Sequence, residues 1–190
     1  SIDMILLTHA HSVHVRYLPA LLRDGFAGVV LATEATCELA EIVLRDAAFL
    51  AERDAEYAAS HGYSKHTPPL PLFTEADVER TLRLLRVVDY DADEDLGEGW
   101  TARWTRAGHI LGAASIRVRT PSASVLFSGD LGRHEHPVLR AREVPEGADT
   151  VVVESTYGDR EHHDPSGAAH EPLADLVRRT ARRGGSVLIP

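Results

Sequence analysis

The sequence has 190 residues, 44% of them hydrophobic and 26% charged, and a formal net charge of -9. That length supports one sizeable core, or a domain with part of another; no run approaches the roughly 18 apolar residues of a membrane span. The acidic balance, taken alone, argues against a nucleic-acid binder, because such domains usually carry a basic face that neutralises phosphates. The single cysteine, Cys37, cannot form an internal disulfide and falls in a helical pattern, which fits a reducing cytoplasm and a core role.

Residues 4–7 are an apolar run that reads as a buried strand, and it leads at once into His9-Ala10-His11-Ser12-Val13-His14. Alternate side chains of an extended segment share one side, so His9 and His11 can converge on one metal ion while His14 approaches from the start of the next helix. A solvated loop is the bland alternative for three histidines so spaced. A buried strand delivering them to a helix start is instead the setting of a metal site.

From residue 14 to 24, Val15, Leu18, Leu21 and Leu22 recur at helical spacing, and Gly25 stands where a helix often ends. Residues 29–32 read as a buried strand. A long helix is predicted over residues 35–59, with Leu39, Ile42, Val43, Phe49 and Leu50 on its apolar side. Residues 61–72 contain three prolines and read as a solvated loop holding His61 and His66. Thr74 and Asp77 resemble a capping box, and Val78, Leu82 and Leu85 continue one helix face.

The period then changes to two: Trp100, Ala102 and Trp104 alternate with Thr101, Arg103 and Thr105, and Ile116 and Val118 with Arg117 and Arg119. Residues 125–127 and 151–153 are short continuous apolar runs, expected to be strands buried on both faces. A helix over residues 168–182 and a strand over 187–189 close the pattern. Helices alternating with sheet in this way predict an α/β sandwich.

Three further polar residues stand at strand ends. His109 lies in Gly108-His109-Ile110-Leu111-Gly112, Asp130 in Ser128-Gly129-Asp130-Leu131-Gly132, and Glu154 opens Glu154-Ser155-Thr156-Tyr157-Gly158. Singly, each is an ordinary loop residue. Together with the histidine triplet they mark one edge of a sheet, where α/β folds place their chemistry.

These segments, with Leu7-Thr8-His9-Ala10-His11 and Phe127-Ser128-Gly129-Asp130-Leu131-Gly132-Arg133, resemble the ordered motifs of the metallo-β-lactamase superfamily, in its β-CASP RNA-processing branch. The resemblance runs through nearly the whole chain. It implies an αββα sandwich, two zinc ions and hydrolysis of RNA phosphodiesters, with residues 1–155 as a metallo-β-lactamase domain lacking its first strands and 156–190 as the start of a β-CASP domain. Zinc lowers the pKa of bound water from about 15.7 to about 7. The resemblance assigns His9, His11 and His109 to one zinc, His14 to a second, and Asp130 to a bridge between them. Glu154 is expected to orient a distant histidine, and His162 to be a substrate or outer contact. RNA is the implied partner, no membrane is expected, and a homo-oligomer is left open.

The sequence departs from the family pattern inside its first motif. Where His-x-His-x-Asp-His has its aspartate, a ligand of the second zinc, this chain has Val13, and Arg16 replaces the glycine that commonly follows. The family also begins with a strand hairpin and continues to further metal-site histidines, so the chain is expected to be an internal fragment that retains about one zinc. Three readings stand side by side: an RNA-processing metallohydrolase, a non-catalytic metal-stabilised module favoured by Val13 and Arg16, and a thioester or lactone hydrolase of the same superfamily. His134, His136, His163 and His170 match no family ligand, and Arg178, Arg179, Arg182 and Arg183 read as the solvated end of a helix.

Overall fold

The computed structural model describes residues 2–134, 136, 138–160 and 171–189. The chain divides into two compact units, Ser1–Glu154 and Ser155–Pro190. In the first, β1 (Met4–Leu6), α1 (Ser12–Val15), α2 (Leu18–Arg23), β2 (Val29–Thr33), α3 (Glu34–His61), α4 (Glu75–Leu82) and β3 (Leu85–Val88) are followed by five strands. These are β4 (Asp93–Gly97), β5 (Trp100–Arg106), β6 (Ala114–Arg119), β7 (Ser124–Phe127) and β8 (Thr150–Val152).

The strands form two sheets. One has the order β1-β2-β3 and is parallel throughout; the other runs β4-β5-β6-β7-β8, antiparallel except for the parallel β7–β8 pair. Strand β2 shows why both its faces are apolar. Val30 and Ala32 pack into a helix-side cluster with Leu44, Ala48, Phe73 and Val78, while Leu31 points the other way, to Trp104, Ala114 and Ile116 of the second sheet. Helices, sheet and sheet thus stack as three layers of the expected sandwich. On the far side of the second sheet Arg103 pairs with Asp93, and Arg103, Arg117 and Arg119 converge on Glu146.

Several elements differ from the sequence reading. The helix expected over residues 14–24 is two short ones, because Pro19 opens a new first turn rather than continuing the old one. In α3 the buried side is built mostly from alanines, Ala40, Ala47, Ala48 and Ala51 with Leu44, and Ile42, Phe49 and Leu50 are exposed. Small side chains let the helix lie close to its neighbours, so the larger ones turn outward. Leu85 begins β3 instead of ending a helix, its chain direction set by pairing with Val30. Strand β4, acidic and lacking β-branched residues, was not predicted; Asp93 faces Arg103 across the pair.

The capping box at Thr74 and Asp77 is present in both directions. Strand β8 lies at the edge of its sheet, and Val151, Val152 and Val153 are exposed rather than buried on two faces; Phe127 of β7 is also exposed. Cys37 is half-buried against the helix-side cluster, and burial, with Glu34 and Glu38 nearby, pushes its thiol pKa up.

In the second unit the main element is α5 (Glu171–Arg182). Arg178, Arg179, Arg182 and Arg183 are exposed there, and residues 187–189 form no strand, with Leu188 and Ile189 open to solvent. Among the described residues no helix is long and apolar enough to cross a membrane.

Candidate metal centre

The site is assembled where four chain segments leave the two sheets. Leu7 continues β1 by donating its N–H to the Leu31 carbonyl, at 2.9 Å, and its own carbonyl accepts from the Trp104 indole Nε1 at 3.0 Å. Thr8 is then held to the second sheet by the Ala114 N–H, 2.8 Å from its carbonyl. His9 is therefore fixed from both sheets at once, and it is fully buried. His11 occupies the N-cap of α1, and His14 lies in its last turn.

His109 lies in the β5–β6 connection. Thr33 donates its hydroxyl to the Gly112 carbonyl at 2.7 Å, and the Ala107 N–H donates to the Ala113 carbonyl at 3.0 Å, so the connection is closed on itself and tied to the start of α3. Asp130 follows β7 in a turn that depends on two glycines. Gly129 has φ +57, and a Cβ there would lie 2.9 Å from both the Ala114 carbonyl oxygen and Thr8. A Cβ on Gly132 would lie 1.8 Å from the Gly108 carbonyl oxygen, so the Asp130 and His109 loops touch backbone to backbone.

These loops bring one donor atom each from His9, His11, His109 and Asp130 to within 4.8 Å of one another. Asp130 Oδ2 is 3.5 Å from His9 Nε2, 3.9 Å from His11 Nδ1 and 3.6 Å from His109 Nε2, and the last two nitrogens are 3.3 Å apart. Two ligands of a tetrahedral zinc with bonds of about 2.0 Å lie about 3.3 Å apart. The separations of 3.3 to 3.9 Å lie near that value, and the set fits a single ion once donors spread over as much as 4.8 Å draw together. His14 stands to the other side of the carboxylate, its Nε2 3.8 Å from Asp130 Oδ1.

The protonation states suit ligation. Burial, reinforced by His14, lowers the His9 pKa from 6.5 to about 4, against the opposing pull of Asp130. His109 is also lowered, by burial and then by His11. Both imidazoles are neutral near pH 7, so the His9–Asp130 approach is not an ion pair there. Thr8 Oγ1 lies 3.1 Å from His9 Nδ1, and if it accepts from Nδ1–H the lone pair is left on Nε2. That Nε2 is the one buried side-chain nitrogen or oxygen among the described residues with no hydrogen-bond partner. A buried imidazole nitrogen that makes no hydrogen bond and faces two imidazoles and a carboxylate suits the role of a metal ligand.

The structure brings His9, His11, His14, His109 and Asp130 together. Glu154 joins them indirectly: its Oε1 accepts the Leu131 N–H at 3.1 Å, beside Asp130. Val13 is 90% exposed and Arg16, the C-cap of α1, is also exposed. His162, with His163 and His170, lies outside the described residues. His61 ends α3 instead of lying in the loop, its ring 3.9 Å from that of Tyr57; His66 is exposed. His134 and His136 are exposed, and His136 Nδ1 accepts from the Val138 and Leu139 N–H groups. The sequence reading gave no role to Thr8, Thr33, Trp104 or Ser128, which hold the loops. Only the closeness in sequence of Thr8 to His9, and of Ser128 two residues before Asp130, is a signal for them.

The family model of the metallo-beta-lactamase superfamily matches residues 1–190. The chain belongs to that superfamily. Among curated relatives it is 38% identical to "Ribonuclease TTHA0252" of Thermus thermophilus, 32% to "Endoribonuclease YSH1" of Saccharomyces cerevisiae, and 31% to "Transcription termination factor FttA" of Methanothermobacter thermautotrophicus. Each match covers 100% of this chain but only 39%, 24% and 28% of those proteins. The chain thus spans well under half the length of these relatives. A crystal structure of a protein of unknown function from Enterococcus faecalis V583 shares the fold, with a TM-score of 0.53 at 18% identity over 94% of this chain and 39% of that one. Two of the three relatives carry ribonuclease names, in keeping with the RNA-processing branch that the motifs resemble.

Proposed function

We propose that this chain carries the metal-binding part of a zinc-dependent hydrolase acting on RNA phosphodiesters, and that it holds one zinc on His9, His11, His109 and Asp130. The single observation that supports the metal most is the buried His9 Nε2, which makes no hydrogen bond and faces the other three donors. Kinship with ribonucleases supports the substrate class. A zinc ion so held supplies Lewis acidity, which acidifies water and offsets charge on a phosphoryl oxygen. The chain's own residues do the rest. Burial keeps His9 and His109 neutral, the Thr8 contact orients His9, and Asp130 turns Oδ2 to one set of imidazoles and Oδ1 to His14.

On the His14 side the described donors are His14 and the shared Asp130, fewer than the three protein ligands usual for a catalytic zinc. Val13 offers no donor. Occupancy of one metal position and reduced activity follow. A non-catalytic, metal-stabilised module is the second reading, and Val13 is the observation that favours it. We further assign residues 1–155 to the metallo-β-lactamase domain and 156–190 to the start of a β-CASP domain, supported by the division of contacts at Glu154. The lone half-buried thiol fits the cytoplasm.

The test is hydrolysis of labelled single-stranded RNA beside a panel of thioesters and lactones, with and without chelator. Slow, chelator-sensitive RNA cleavage that disappears in His109→Ala is expected, with the panel untouched. Thioester or lactone turnover exceeding that of RNA would overturn the substrate class; bound zinc with no hydrolysis would favour the module.

A further inference from the structure

Asp130 lies in no strand, yet it must present its two carboxylate oxygens in different directions, so something outside the sheet has to fix its backbone. The turn around it is held at several points. On the N-terminal side the Ser128 N–H donates to the Val152 carbonyl at 2.9 Å, and the Ser128 carbonyl accepts from the Ser115 hydroxyl at 2.8 Å. The Ser128 hydroxyl donates to the Gly129 carbonyl at 2.6 Å while accepting the Glu154 N–H at 3.0 Å. On the C-terminal side the Leu131 N–H donates to Glu154 Oε1 at 3.1 Å, and the Gly132 N–H to the Ala107 carbonyl at 2.9 Å.

We propose that Glu154 is a positioning residue for the metal centre, its carboxylate fixing the direction of Asp130 through the Leu131 N–H; this rests on the reading of His9, His11, His109 and Asp130 as metal ligands. The Leu131 N–H belongs to the rigid peptide plane that starts at the Asp130 carbonyl carbon. Holding that N–H therefore fixes ψ of Asp130 and with it the bearing of the side chain. A carboxylate acceptor makes this a charge-assisted bond, stronger than a neutral one. Glu154 also grips the other end of the turn, through its own N–H on Ser128, so one residue spans Asp130 on both sides. It is close enough for its charge to raise the His109 pKa, yet it is not among the four clustered donors. Its action is thus on the ligand's geometry and not on the metal.

The test is zinc affinity, measured against a competing chromogenic chelator, for the wild-type chain, Glu154→Gln and Glu154→Ala. Outer partners of metal ligands typically contribute about 10- to 100-fold in affinity, and a loss of that size is expected for Glu154→Ala. Glu154→Gln keeps an oxygen that can accept from Leu131, in a weaker neutral bond, and is expected to fall between the wild type and Glu154→Ala. Wild-type affinity in Glu154→Ala would overturn the proposal, and so would a Glu154→Gln loss equal to that of alanine, which would mean that charge or direct ligation matters. Hydrogen exchange of the Leu131 amide in the metal-free wild type needs no variant: slow exchange is expected, and exchange at the rate of an open amide would overturn the proposal even if Glu154→Ala did not fold. No zinc on the wild type would instead remove the metal-centre reading itself.

Discussion

Protonation of His9 should control the stability of the metal-free protein. The fold holds this imidazole at a pKa of about 4, against 6.5 in the open chain, chiefly through burial. Below pH 6.5 the unfolded state binds a proton that the folded state refuses until about pH 4, so stability is complete above 6.5 and is lost as pH falls. Between pH 7.5 and pH 5.0 a shift of this size removes about 2 kcal/mol, a large share of a typical stability of about 5 to 15 kcal/mol. His109, lowered in the same direction, adds to the trend. Urea denaturation of chelator-treated wild type and His9→Gln at the two pH values isolates the His9 part. The wild type should lose about 2 kcal/mol more than the variant over that interval. Equal losses would show that His9 is not held neutral by the fold, and the account of its Nε2 as a metal ligand would fail with it.

Other outcomes follow from the same geometry. Val13→Asp adds a carboxylate to the open His14 side, bringing its donors to three, so zinc per chain should rise from one to two by elemental analysis; a value still at one would mean that the position does not face the site. Gly132→Ala drives a methyl into the Gly108 carbonyl, and should weaken zinc binding, measured by competition, by displacing the His109 loop; unchanged affinity would mean that the two loops are not in fixed register. Trp104→Phe deprives the Leu7 carbonyl of its indole donor and should cost about 1 to 3 kcal/mol in urea denaturation, whereas a negligible change would show that this tie between the sheets is dispensable.

Much of the four-residue cluster could be read from the sequence because its members sit just past the ends of strands: His9 and His11 after β1, His109 after β5, Asp130 after β7. Each break places a polar side chain where the sheet edge opens. The supporting contacts were not legible, because they are long-range and made by ordinary residues. Thr33 reaches Gly112 and Trp104 reaches Leu7 across 79 and 97 residues of sequence. Glu154 was read through the family resemblance as a partner for a distant histidine, and its bond to Leu131 had no sequence signal. In the fold, β4 was hidden by its acidic composition and β3 by its lack of alternation. On α3, Leu39 and Val43 pack against the helix-side cluster as expected, but size is no guide to burial for the rest: close packing there takes Ala40, Ala47 and Ala48, and leaves Ile42, Phe49 and Leu50 outside. Nor does apolar character bury residues 151–153, because an edge strand leaves its valines exposed.

Elemental analysis of the chain after zinc loading and gel filtration, beside His109→Ala treated identically, bears most directly on the metal centre. One zinc per wild-type chain and almost none on His109→Ala is the expected result. A wild type that emerges without zinc, or a His109→Ala variant that keeps as much as the wild type, would contradict the assignment of His9, His11, His109 and Asp130 as one metal site.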